Sequence, residues 1–150
     1  MAKNESIGKL ISILHRKSRV YFQRELEPLG IGSGEVKIFS YLALEPGATQ
    51  HEITNYFKLD KGTVSYLIRK MDEHGYVRKE TDPKDRRSSK LYLTAKAQKK
   101  EREIRKIFSG WTELLLNGFT KEEKKQAFEI LERMIENVGF LNEDYEAKKA

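Results

Sequence analysis

The sequence predicts a mainly helical chain that carries one small β-hairpin. Apolar residues recur three and four positions apart over most of its 150 residues, which is the spacing of one helix face. Ser, Thr or Asp residues precede several of these runs at positions typical of helix N-caps. Two short runs of strand-forming residues flank the turn Asp82-Pro83-Lys84-Asp85. With 38% hydrophobic residues the chain can form one core, so we expect a single domain over residues 1–150.

Three helices are predicted in the first part of the chain. The first covers roughly Glu5 to Leu29. Ser33 is expected to cap the second, which ends at Glu45-Pro46-Gly47. The third is about two turns long and begins at Thr49, which forms a capping box with Glu52.

The central segment is predicted to form a fourth helix and the hairpin. Asp60 is a good N-cap, and apolar residues follow at i, i+3, i+4 and i+7 before the stop at His74-Gly75. Residues 76–81 and 90–93 have the composition of two strands around the Pro-containing turn. Thr94 is then expected to cap a long helix, and Thr120 with Glu123 a last one; the polar tail from residue 142 is expected to fray.

The charge of the chain favours a polyanionic partner. The formal net charge is +6 and the isoelectric point is near 9.4. Residues 58–90 hold ten basic and six acidic side chains, a net +4, whereas residues 120–150 hold six basic and eight acidic ones, a net −2. This difference indicates that the basic segment belongs to a module that binds nucleic acid, and that the near-neutral segment belongs to a separate supporting part of the chain.

Several classes of protein are excluded by what the sequence lacks. There is no cysteine, hence no disulfide, zinc-thiolate site or redox thiol. No apolar run is long enough to span a bilayer and no signal-type segment opens the chain, so we expect a cytoplasmic protein. His51 has no second histidine four residues on, and the three histidines are scattered. We therefore expect no metal, no cofactor and no enzymatic activity.

The order of elements is that of a winged helix-turn-helix. Two short helices, of which the second is amphipathic, are followed at once by a two-stranded hairpin. The polar face of that second helix combines hydroxyls, an aromatic ring and cations, a mixture suited to base edges and phosphates in the major groove. The residues are Lys61, Gly62, Thr63, Ser65, Tyr66, Arg69 and Lys70.

The tip of the hairpin is the second candidate contact. Residues 84–90 place four cations in seven positions, where like charges repel each other unless an anion is near. Asp85 could orient Arg87 through a salt bridge. The candidate residues here are Asp85, Arg86, Arg87, Ser88 and Lys90.

These segments resemble the MarR family of transcription regulators. The similarity lies in residues 59–71, in Gly75-Tyr76-Val77, and in the Asp-x-Arg hairpin from Asp82 to the strand that ends at Leu93-Thr94. The helix order on both sides agrees, so the resemblance covers nearly the whole chain. It implies a DNA-binding lobe over about residues 34–94 and dimerisation helices over about residues 5–29 and 95–141.

The resemblance also implies a function and roles for single residues. It implies a homodimer that binds double-stranded DNA at a pseudo-palindromic operator, most simply as a repressor. Arg87 would enter the minor groove with Asp85 as its support, the polar helix face would meet the major groove, and Thr49 and Gln50 would lie near phosphates. Many members release DNA when a phenolic or aromatic acid binds, and Lys9, His15 and Arg16 are candidate ligand-binding residues for such an effector.

Two other functions remain open at this point. The same basic hairpin would serve an architectural protein that binds DNA regardless of sequence, and a winged helix can also act as a protein-interaction module. The ratio of specific to non-specific DNA affinity separates the first from a regulator, and the absence of DNA binding at low salt identifies the second.

Overall fold

The computed structural model describes residues 6–85 and 88–141. The chain divides into two compact units, of which one runs to Trp111 and the other begins at Thr112. In chain order the elements are α1 (Ile7–Leu26), a 3-10 turn (Glu27–Leu29), α2 (Ser33–Leu44), β1 (Ala48–Thr49), α3 (Gln50–Phe57), α4 (Lys61–Glu73), β2 (Val77–Glu80), β3 (Lys90–Leu93), α5 (Ala95–Leu115) and α6 (Lys121–Val138). The prediction of a mainly helical fold with a small β wing is confirmed.

Helix α1 has two parts with different surroundings. Near its C-terminal end it packs on α5, because the Tyr21 hydroxyl donates to the Ile107 carbonyl at 3.0 Å and the Phe22 and Phe108 rings lie 4.6 Å apart. Its N-terminal end leaves large apolar side chains between 46% and 60% exposed: Ile7, Leu10, Ile11 and Leu14. This half of α1 therefore has apolar surface without a partner in the described chain.

The predicted cap of α2 is wrong. Ser33 is the first helical residue, and Gly32 occupies the N-cap position with extended backbone. Gly32 has no side chain to offer, so the helix start is satisfied by Glu35, whose Oε2 accepts from the Gly32 N–H at 2.8 Å. The carboxylate thus satisfies the N–H of the cap residue itself, whereas the hydroxyl suggested by the sequence would have accepted from an N–H of the first turn.

The caps predicted for α3 and α4 are confirmed. The Thr49 hydroxyl accepts from the Glu52 N–H at 3.2 Å, and Glu52 Oε2 accepts from the Thr49 N–H at 2.7 Å. Asp60 Oδ1 accepts from the Thr63 N–H at 2.8 Å. The chain passes between the two helices at Lys58, which adopts a left-handed conformation with φ of 53°. The two helices of the helix-turn-helix are therefore fixed by local hydrogen bonds at their starts.

The wing contains one strand more than predicted. The hairpin strands pair as expected, with Val77 opposite Leu93 and Glu80 opposite Lys90. Strand β1, only two residues long, pairs with the other edge of β3, so that the sheet order is β1-β3-β2. The wing is thereby joined to the segment that starts α3.

One core holds the first unit together. Side chains from α2, α3, α4, β3 and α5 are all at most 2% exposed in it, and the largest are Phe39, Ile38, Leu42, Ile53, Ile68, Met71, Leu91 and Ile104. Burial of this size is the main favourable contribution to folding. This core holds the apolar face of α4 inward, and the opposite, polar face of α4 is therefore exposed to solvent.

Thr94 makes the hydrogen bonds that connect α4, the wing and α5. Its Oγ1 caps α5 by accepting from the Ala97 N–H at 3.2 Å, and its hydroxyl donates to the Gly75 carbonyl at 2.6 Å. Replacement by alanine removes both bonds, so we expect Thr94→Ala to lower the free energy of unfolding by about 1–2 kcal/mol. Urea unfolding measures this loss. Ser109→Ala, at an exposed position of the same helix, should change the free energy of unfolding by less than about 0.5 kcal/mol.

The second unit contains α6, which begins as predicted. The Thr120 hydroxyl accepts from the Glu123 N–H at 3.2 Å and Glu123 Oε2 accepts from the Thr120 N–H at 2.8 Å. Its large apolar side chains are nevertheless exposed by 48% or more: Phe128, Ile130, Leu131, Ile135 and Val138. Such an amphipathic helix with an uncovered apolar face is typical of an interaction surface.

Candidate nucleic-acid interface

Helix α4 presents a polar face opposite its buried one. Val64, Ile68 and Met71 are at most 2% exposed and anchor the inner face. The outer face carries Lys61, Gly62, Thr63, Ser65, Tyr66 and Arg69, all of them exposed. The Tyr66 ring lies 5.9 Å from the Arg69 guanidinium carbon, a cation-π arrangement that keeps the two side chains together. Six of the seven predicted α4 residues are thus accessible to a ligand.

The start of α4 is shaped by Asp60 and Thr63. Besides the backbone bond described above, the Thr63 hydroxyl donates to Asp60 Oδ2. The Thr63 side-chain and backbone hydrogen bonds together lower the pKa of the Asp60 carboxyl, with the side-chain bond the larger cause. The Asp60 carboxylate is therefore ionised at neutral pH and opposes the positive end of the helix dipole.

We expect the Asp60 cap to weaken only at acidic pH. A carboxyl whose pKa is lowered on folding stabilises the folded state above its unfolded pKa of about 4, and this stabilisation is lost as the pH falls through the folded pKa. Thr63→Ala should raise the Asp60 pKa toward its ordinary value, because it removes the largest cause of the shift. Carboxyl carbon NMR titration measures both pKa values. Ser65→Ala on the same helix is the control, and an unchanged Asp60 pKa in Thr63→Ala would contradict the assignment.

Lys70 differs from the rest of the predicted face. It is half-buried, and its Nζ lies 3.5 Å from Oε2 of Glu35, whose side chain is only 2% exposed. Glu35 was not among the predicted site residues. The signal that could have found it is its position as an acidic residue in the first turn of an otherwise apolar helix. The pair links the end of α4 to the start of α2, so Lys70 helps to hold the outer face of α4 as well as adding charge to it.

Thr49 and Gln50 lie where β1 meets α3. Both are half-buried. The Thr49 hydroxyl is already engaged in the capping box, and Thr49 is opposite Lys90 of β3 in the sheet. The Gln50 carbonyl accepts from the Thr54 hydroxyl at 2.8 Å, while no hydrogen bond to the Gln50 side chain occurs among the described residues. The sheet therefore brings Thr49 beside a wing lysine.

The wing turn is organised by its two aspartates. Asp82 Oδ1 accepts from the Lys84 N–H at 2.8 Å. Asp85 Oδ2 accepts from the Ser88 hydroxyl at 2.7 Å, so Asp85 has a partner within the turn. Lys90 is exposed at the start of β3. Arg86 and Arg87 lie outside the described residues, and the predicted Asp85–Arg87 salt bridge stays a prediction.

The candidate ligand-binding residues lie on α1. Lys9, His15 and Arg16 are exposed on that helix. The Lys9 N–H donates to the Ser6 hydroxyl that caps the helix. Two surface cavities, one beside α5 and one at the end of α2, have none of the three in their lining.

Two further features of the described residues bear on the class of protein. Across residues 6–85 and 88–141, no cluster of three or more histidine or acidic side chains is placed to hold a metal ion. None of the helices in these ranges is both long and apolar enough to cross a bilayer.

Two adjacent short helices, an exposed polar face on the second and a basic wing define a winged helix-turn-helix protein. The MarR family model matches residues 29–88. The uncharacterized HTH-type transcriptional regulator YwoH of Bacillus subtilis is 31% identical, over 83% of this chain and 92% of its own. A MarR transcriptional regulator of known structure from Methanosarcina mazei is 40% identical, covers 87% of this chain and 94% of its own, and superposes with a TM-score of 0.76. A further MarR crystal structure is 30% identical, with coverage of 96% and 98% and a TM-score of 0.79. The chain belongs to the MarR family of DNA-binding transcriptional regulators.

Proposed function

We propose that this chain is a cytoplasmic, homodimeric repressor that binds a pseudo-palindromic operator and leaves it when a small aromatic or phenolic ligand binds. The observation that carries the proposal is the outer face of α4, where Lys61, Ser65, Tyr66 and Arg69 are exposed while the inner face is locked in the core. A helix fixed on one side and polar on the other is suited to the major groove.

The contacts with DNA divide into two kinds. Ser65, Tyr66 and Arg69 are proposed to meet base edges, because a hydroxyl, a ring and a guanidinium can each discriminate between bases. Lys61 and Lys90, with Thr49 and Gln50, are proposed to lie near phosphates, which fix the register of the protein on the duplex. The remaining proposed contacts are Gly62, Thr63, Lys70 and, in the wing, Asp85, Arg86, Arg87 and Ser88.

Dimerisation is supported by apolar surface at both ends of the chain. The N-terminal half of α1 and the apolar face of α6 each leave large side chains about half exposed or more. Surfaces of this kind are rare on a soluble monomer. We therefore assign residues 34–94 to a DNA-binding lobe, and residues 5–29 and 95–141 to dimerisation helices. Two recognition helices related by a two-fold axis would read half-sites about 34–36 Å apart.

The ligand response is assigned to exposed residues of α1. Lys9, His15 and Arg16 place cations and an imidazole on one accessible stretch of α1, where a carboxylate or phenolate could be bound. We expect this response because many members of the family respond to such ligands. Lys9, His15 and Arg16 are the residues of this chain proposed to bind the ligand.

The test is a titration against two duplexes at one salt concentration. Purified protein is titrated against duplex from its own upstream intergenic region and against a shuffled control, each with and without salicylate. We expect the native duplex to bind about 10³–10⁷ times more tightly and salicylate to weaken that binding. Equal affinity for both duplexes would favour an architectural protein, and no binding to either would favour a protein-interaction module.

A further inference from the structure

The start of α2 carries a buried carboxylate that takes no part in the outer face of α4. Glu35 is only 2% exposed, although it is charged and lies in the first turn of its helix. Its Oε2 accepts from the Gly32 N–H at 2.8 Å and lies 3.5 Å from Lys70 Nζ. A carboxylate is costly to bury unless it is paired and hydrogen-bonded. Glu35 therefore holds the start of α2 and the Lys70 ammonium together.

Helix α2 also contacts α4 closely at a glycine. A Cβ at Gly34 would lie 3.0 Å from both Cδ atoms of Leu67 on α4. Non-bonded carbon atoms normally pack at about 3.5–4.0 Å, so a side chain at this position would push Leu67 away. Glycine is a poor helix former, yet here it lies inside α2. The two helices thus approach each other more closely than a side chain at residue 34 would allow.

The two contacts with α2 lie on one flank of α4. Leu67 and Lys70 are three residues apart, so they are neighbours on the helix surface, between the buried apolar stripe and the outer polar face. Packing of the apolar stripe is non-directional and by itself leaves α4 some freedom to rotate about its axis. A charged pair and a close backbone contact on the flank select one rotation. That rotation sets the direction in which Tyr66 and Arg69 project.

We propose that Glu35 is a positioning residue for DNA recognition, which acts through Lys70 to fix the rotation of α4. Its buried side chain reaches DNA only through the orientation of that helix. A buried ion pair is a weak source of stability, but it can select one arrangement of the groups around it. The effect on operator affinity rests on the proposed function, whereas the orientation of α4 is a property of the free protein.

The charge of Glu35 separates this role from simple electrostatics. Glu35→Gln removes a negative charge and keeps both the shape of the side chain and an oxygen that can accept from the Gly32 N–H. Loss of negative charge should strengthen binding to any duplex, because DNA is a polyanion. A misplaced α4 should instead weaken binding to the duplex whose bases it reads. The two effects have opposite signs on the native duplex.

The first measurement is made on the full chain without DNA. Amide residual dipolar couplings, which report helix orientation, are recorded for the wild type, Glu35→Gln and Glu73→Gln. Glu73→Gln is the matched control, because it removes the same charge from an exposed position at the end of α4. We expect the α4 couplings of Glu35→Gln to change together, as a rotation relative to α2 requires, and those of Glu73→Gln to match the wild type. Unchanged α4 couplings in Glu35→Gln would overturn the proposal.

The second measurement compares affinities for the native and the shuffled duplex by fluorescence anisotropy at one salt concentration. We expect Glu35→Gln to weaken binding to the native duplex about tenfold and to leave the shuffled duplex bound as tightly or more tightly. A lysine contact with phosphate is the same on both duplexes, so the charge of Lys70 cancels in the ratio of the two affinities. Lys70→Gln should therefore lower this ratio by a similar factor, and the double variant should lower it no further.

Two results of the second measurement would contradict the role in recognition. One is an unchanged ratio in Glu35→Gln, and the other is a double variant whose loss equals the product of the two single losses. Partial unfolding does not imitate the expected result, because both duplexes titrate the same folded molecules and the ratio is unaffected. Equal affinity of the wild type for both duplexes would remove the proposed function, and the α4 couplings would still decide whether Glu35 orients the helix.

Discussion

Ile135→Glu is expected to convert the proposed homodimer to a monomer of 17.5 kDa. Ile135 is 68% exposed on the apolar face of α6. If this face is covered by a second copy, one substitution places two carboxylates in the interface, because a two-fold axis presents the same position twice. Burying unpaired charges costs several kcal/mol each. Sedimentation velocity over a range of concentrations measures the change.

The same substitution should weaken operator binding about 10²–10⁴-fold, since each half-site would then be bound singly. Gln126→Glu is the matched control, because it adds the same charge at an exposed polar position of the same helix. A variant that remains dimeric and retains its operator affinity would show that α6 does not form the interface.

Arg69→Ala is expected to weaken binding to the native duplex by about 1–3 kcal/mol, or roughly 5- to 150-fold. The side chain is exposed on the outer face of α4 and packs beside the Tyr66 ring, so its removal leaves the core intact. Because a base contact distinguishes sequences, the loss on the shuffled duplex should be much smaller. Fluorescence anisotropy at one salt concentration measures both affinities.

Arg133→Ala on α6 removes an arginine of similar exposure from the second unit and should leave both affinities nearly unchanged. An equal loss on native and shuffled duplex in Arg69→Ala would indicate a phosphate contact. That outcome would contradict the assignment of Arg69 to base recognition.

Local signals predicted the helix-turn-helix and the hairpin well. The caps at Thr49, Asp60, Thr94 and Thr120 each depend on hydrogen bonds over three residues, which a sequence displays directly. The face of α4 followed from the burial of one apolar stripe. Most features that depend on the nearest residues along the chain are therefore predictable from the sequence alone. The cap of α2 is the exception, because Glu35, three residues after Gly32, accepts a hydrogen bond from the Gly32 N–H.

Features that depend on distant residues were not predictable in this way. Strand β1 is two residues long, too short for an alternating pattern, and exists because it pairs with β3 some 40 residues later. Glu35 meets Lys70 across 35 residues of chain, a contact that no local pattern displays.

Strand β2 forms an edge of the wing sheet in the part of the chain that the structure describes, with β3 as its neighbour. An open strand edge offers backbone groups to which a strand of another molecule can add, and this is a common start of aggregation. Three of the four β2 residues are charged and exposed, namely Arg78, Lys79 and Glu80. These charges oppose the addition of a strand from another molecule. The wing can therefore keep an open edge, available to a ligand, while the protein resists forming β-aggregates.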